Sequence, residues 1–94
     1  MTLETYIERK QSQYEFYKNK LDEVFSKGGI PNIPAIKKQI RDMKTKLKRL
    51  ENTYAFAPNG EVLDKLDYQI SGLRGKLQAF EERMKWIRTK LAEA

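Results

Sequence analysis

Ninety-four residues with a net charge of +6, no cysteine and no histidine make one small basic domain with room for a single core. Without those two residue types the chain has no disulfide, no thiolate metal ligand, and neither the commonest general base nor the commonest metal ligand, so most enzyme classes, metal sites and cofactors fall away. No apolar run approaches the roughly 20 residues of a membrane span, and Met1–Lys10 carries no leader pattern, so a cytoplasmic protein with no membrane role is expected.

The first predicted helix covers about residues 2–27. Leu3, Tyr6, Ile7, Tyr14, Tyr17, Leu21, Val24 and Phe25 fall on one face at helical spacing, with Phe16 just off it. Lys10 interrupts the face, and a lysine there reads as a stem packed along apolar surface with its charge in solvent. The break at Lys27–Pro34 ends this helix, with Gly28 suited to a left-handed cap and Pro34 to the first turn of the next helix. Gly28, Gly29, Lys27, Lys37 and Lys38 also raise the idea of a small anionic ligand held at a helix start. Paired glycines at a helix end are the ordinary features of a cap, and no Gly-rich phosphate loop pattern accompanies them, so this reading ranks third.

The second helix, about residues 34–55, repeats Ile36, Ile40, Met43, Leu47, Leu50 and Tyr54 in a heptad. It also holds most of the excess charge. Between residues 34 and 59 the basic groups are Lys37, Lys38, Arg41, Lys44, Lys46, Lys48 and Arg49, against Asp42 and Glu51 alone. Lys37, Arg41, Lys44 and Lys48 fall at steps of four, three and four, forming one row beside the apolar seam about 16 Å long, while Lys38 and Arg49 lie on the exposed back. Such a row suits an acidic partner surface or the phosphates of a nucleic acid. The other reading is a solvated face whose lysine stems shield the seam and whose charges pair with acids of a neighbouring helix.

Phe56–Gly60 forms the second break, where Pro58 stops the helix and Asn59 or Gly60 begins another, with Glu61 and Asp64 near its positive end. The third helix, about residues 60–93, carries the longest pattern in the chain: Leu63, Leu66, Ile70, Leu73, Leu77, Phe80, Met84, Ile87 and Leu91. A second, narrower stripe contains Tyr68, Gly72, Gly75, Ala79 and Trp86. Each glycine inside a helix costs about 0.5–1 kcal/mol relative to alanine. Either the stripe is a groove that lets large aromatics of helix 1, or of a second subunit, approach closely, or Ser71–Gly75 is a point where the helix bends.

Together these elements predict a single all-α domain over residues 1–94, an antiparallel coiled-coil hairpin of helices 2 and 3 with an N-terminal third helix. Pairing outward from the short turn sets Tyr54 near Leu63 and Ile36 near Phe80, which leaves Met84, Ile87 and Leu91 beyond the reach of helix 2. Helix 1 then either folds back to make a three-helix bundle or swaps into an intertwined oligomer. Both arrangements leave apolar area exposed, so self-association is expected through Phe16, Met84, Trp86, Ile87 and Leu91. Functionally the chain reads as a non-catalytic helical interaction module, an adaptor, inhibitor or assembly factor, that presents Lys37, Lys38, Arg41, Lys44, Lys48 and Arg49 to an acidic protein partner. Non-specific nucleic-acid binding by the same helix is the alternative, since nothing resembles a helix-turn-helix reader.

Overall fold

A computed structural model describes residues 1–28 and 32–93. Three helices account for almost all of them: α1 (Leu3–Ser26), α2 (Ile33–Ala55) and α3 (Gly60–Glu93). Each begins on a side-chain cap. The Thr2 hydroxyl accepts from the Thr5 amide at 3.1 Å, the Asn32 carbonyl oxygen from the Ala35 amide at 3.1 Å, and the Asn59 carbonyl oxygen from the Val62 amide at 3.0 Å. These bonds satisfy amides that a helix start leaves without a backbone partner. Gly28 follows α1 at φ +77°, the left-handed conformation that glycine adopts without strain. Gly29, part of the small-anion reading, lies outside the described residues.

The fold is all-α, with α3 as its spine. Helix α1 packs on one side of α3 and α2 on another, and no Cα atoms of α1 and α2 come within 8 Å among the described residues. Helix α1 folds back onto its own hairpin and runs parallel to α3: Arg9 lies at Tyr68, Tyr14 at Glu82 and Phe25 at Trp86. Helix α2 runs antiparallel, with Glu51 paired to Arg74 and Lys44 to Glu81. The resulting rod measures 52 × 23 × 18 Å.

The two stripes of α3 divide the packing between them. Ile70, Leu77, Phe80, Met84 and Ile87 are buried, and Ile36 and Met43 of α2 meet the last four of these in one cluster with Tyr17, Leu21 and Phe25 of α1 at its edge. Gly72, Gly75 and Ala79 are buried under α1, and helix α3 continues through them without a break. A Cβ placed on Gly75 would lie 2.9 Å from the Tyr14 amide nitrogen and closer still to the Lys10 carbonyl. The missing side chain therefore accommodates the α1 main chain. Sequence reasoning assigned this groove to aromatic side chains. What fills it is backbone at Gly75 and the Arg9 guanidinium at Gly72, where a Cβ would meet Arg9 Nη2 at 2.7 Å.

The register between α2 and α3 also differs from expectation. Tyr54 shares a cleft with Asp67 and Ile70, and residue 44 stands against residue 81, so Ile36 falls against the stretch that holds Met84 and Ile87. Loop-outward pairing fails because α2 does not turn back at once: the pairs Glu51–Arg74 and Lys44–Glu81 set it about two turns further along α3. As a correction, Met84 and Ile87 belong to the chain's own core, at 4% and 3% exposure, and are not available to a second molecule.

Candidate interaction surface

Every basic side chain singled out on α2 is exposed: Lys37, Lys38, Arg41, Lys44, Lys48 and Arg49, together with Lys46. The helix buries only Ile36 and Met43, so its heptad seam faces α3 and its remaining circumference faces solvent. Among the described residues, one of these seven cations takes part in an ion pair, Lys44 with Glu81 at 3.8 Å. Glu51, one of only two acids on the helix, is drawn away by Arg74 at 2.7 Å. The hydrogen bond to Glu51, the larger influence, outweighs partial burial and raises the Arg74 pKa above the ordinary guanidinium value. Arg74 also donates to the Tyr6 hydroxyl at 2.5 Å, joining all three helices at one side chain.

The predicted interface residues separate into two groups. Phe16, Trp86 and Leu91 stay at the surface with 48%, 46% and 60% exposure, whereas Met84 and Ile87 do not. Phe16 stacks edge-on to Tyr17 at 5.1 Å and lies under the Lys20 ammonium at 4.5 Å. Trp86 packs edge-on to Phe25 at 6.0 Å, with the Arg83 guanidinium 4.8 Å from Phe25 and 5.0 Å from Trp86. Arg83 also pairs with Asp22, and burial lowers its pKa. Tyr68 is exposed on one face only, because Arg9 covers its ring at 3.4 Å and donates to its carbonyl oxygen at 2.8 Å.

Two further features bear on the surface. The first is a cleft of about 440 Å³ at the start of α1, lined by Leu3, Tyr6, Tyr54, Asp67, Ile70 and Arg74 among others. Two of its Arg74 nitrogens are already committed, to Tyr6 and Glu51. The second is Phe56, 87% exposed in the α2–α3 connection. Lys27, part of the small-anion reading, is held by Glu23 at 2.8 Å one turn earlier on α1. Among the described residues no three carboxylates gather in a set that could hold a metal ion, and no helix is long and apolar enough to cross a membrane.

No family model matches this chain, and no curated protein or solved structure matches it either. The functional argument therefore stands on the chemistry of the surface itself.

Proposed function

We propose that this chain is a non-catalytic helical interaction module whose basic α2 face engages an acidic macromolecular partner. One observation carries the reading: seven cations project from a single 23-residue helix, and only Lys44 has a carboxylate within ion-pair range among the described residues. A solvated helix face normally intersperses both signs, which limits self-repulsion. A helix that leaves its cations without counter-charges is set up to draw a polyanion by long-range attraction. Phe16, Trp86 and Leu91 supply a separate apolar surface, and we assign self-association to it.

The test is anisotropy with two labelled polyanions, heparin and poly-L-glutamate, against the wild-type chain and Arg41→Glu/Lys48→Glu. Wild type binds one or both with an affinity that falls as salt rises, and the charge-reversed chain loses that binding. Absence of binding to either at low salt overturns the reading. For self-association, sedimentation at micromolar concentration gives a species heavier than one chain, which Trp86→Ala/Leu91→Ala returns to monomer. A wild-type monomer refutes that assignment.

A further inference from the structure

Helices α2 and α3 meet along a ladder with a seven-residue step. Its first rung is Glu51 with Arg74 at 2.7 Å, and its second is Lys44 with Glu81 at 3.8 Å. Both rungs join opposite charges. One further heptad along the antiparallel pair brings residue 37 opposite residue 88, and the residues there are Lys37 and Arg88. On the same face, between the second and third rungs, stand Arg41 one turn beyond Lys37 and Lys85 one turn beyond Glu81. All four are exposed, and none takes part in an ion pair among the described residues.

The third rung thus inverts the logic of the first two. Extended by one heptad, the ladder sets four cations from two helices along about one to two turns, between the positive end of the α2 dipole and the negative end of the α3 dipole. Their repulsion is relieved when an anion enters, and most by one carrying several charges in a row. The chemistry around them narrows the choice of polyanion. Protein interfaces draw their affinity from apolar or aromatic anchors seated in desolvated pockets. The buried Ile36, Met84 and Ile87 beneath this face offer no such anchor, and the half-exposed Trp86 points around α3 towards α1, where it packs on Phe25. Leu91, 60% exposed three residues beyond Arg88, is a single apolar side chain with no pocket around it among the described residues. A phosphate backbone needs only cations in reach. Lys44 and Lys48 continue the line, giving a face about 16 Å long at 1.5 Å per residue, comparable to about five base-pair rises along the axis of a duplex.

We propose that Lys37, Arg41, Lys85 and Arg88 form a phosphate-binding cluster by which the module grips the backbone of a double-stranded nucleic acid without reading its sequence. The inference rests on the basic-face reading and deepens it, since it names the partner class and extends the footprint from α2 onto α3.

The experiment is anisotropy of a labelled 20-base-pair DNA duplex between about 50 and 200 mM salt, with poly-L-glutamate as the parallel arm. The wild-type chain binds the duplex with log affinity falling linearly in log salt. Lys85→Gln/Arg88→Gln lowers that slope by about two and weakens binding at the low-salt end by roughly tenfold or more. Duplex binding with an unchanged slope in this variant overturns the cluster and leaves the α2 reading standing. Binding of poly-L-glutamate without binding of the duplex overturns the nucleic-acid assignment and makes the partner an acidic polypeptide. Failure to bind either defeats both readings. A second measurement tests the juxtaposition itself by a double-mutant cycle of Lys37→Glu and Arg88→Glu. Each single change turns the third rung into an opposite-charge pair and the double change makes it two carboxylates, so the double variant melts below the midpoint that the sum of the two single shifts gives. Additive shifts show that the third rung does not join two cations, and overturn the proposal.

Discussion

Gly75→Ala is the sharpest probe of how α1 docks. In an isolated helix this substitution stabilises by about 0.5–1 kcal/mol, because alanine loses less backbone entropy on folding. Here the added methyl would lie 2.9 Å from the Tyr14 amide nitrogen, 3.1 Å from Gln13 Cβ and nearer still to the Lys10 carbonyl. Main-chain atoms of a regular helix cannot turn aside, so α1 must move away from α3 over several residues and loosen Tyr17, Leu21 and Phe25 at the core margin. Overpacking of this kind costs about 1–3 kcal/mol or more, which exceeds the propensity gain. The net loss is then about 1–2 kcal/mol, and a domain of this size loses about 4–8 °C in melting temperature per kcal/mol. Gly72→Ala provides the internal control. Its methyl meets only the far end of the Arg9 side chain, at 2.7 and 3.2 Å, which can swing out at the loss of one exposed hydrogen bond to Tyr68 and of its contact with the Tyr68 ring. That loss and the propensity gain nearly cancel, leaving a change within about 1 kcal/mol. Urea and thermal denaturation of the two variants beside wild type check the order. If Gly75→Ala melts at or above wild type, the α1 backbone does not lie in the slot.

Two further substitutions test the core and its polar margin. Ile87→Ala removes a side chain that is 3% exposed in the cluster shared by α2 and α3, and should destabilise by about 2–5 kcal/mol with a midpoint shift that is the same at every protein concentration; a shift that vanishes on dilution would instead place Ile87 between chains. Tyr14 donates to the Glu82 carboxylate, and that bond, then burial, then repulsion from Glu82 and Glu15, raise its pKa above the usual 10.0. Because the folded state favours the protonated phenol, its contribution is whole below about pH 10 and is lost as pH climbs through the higher folded value. Wild type should exceed Tyr14→Phe by about 0.5–1 kcal/mol near neutral pH, and the gap should close at alkaline pH in chemical denaturation. A gap that is constant across that range refutes the assignment.

The local features were legible in the sequence because they are decided locally. Apolar spacing, Gly28, Pro34, Pro58 and the cap residues give helix limits within a residue or two of those observed, since each acts within a turn of its own position. The stripe through Gly72, Gly75 and Ala79 marked a close approach, because a helix keeps costly glycines where something occupies their missing side chains. What escaped was register. A heptad seam slides by whole heptads with little change in its own pattern, and the short Phe56–Asn59 connection has no periodicity from which to read the register. That one unknown accounts for both later surprises: it moved Met84 and Ile87 into the core, and it brought Lys85 and Arg88 beside Lys37 and Arg41, so that half of the cation cluster went unrecognised from helix 2 alone.

The division of labour within α3 explains how so charged a helix as α2 is retained in the fold. Its stripe of small residues seats the α1 backbone, and its stripe of large apolar residues gathers side chains from both neighbours, so the spine carries most of the burial. Helix α2 contributes only Ile36 and Met43 to the fully buried set, and its outward positions are left with little structural duty. Exposed substitutions away from special contacts change stability by about ±0.5 kcal/mol. Neutralising Lys38, Lys46 or Lys48 should therefore leave the melting temperature nearly unchanged while altering any polyanion affinity.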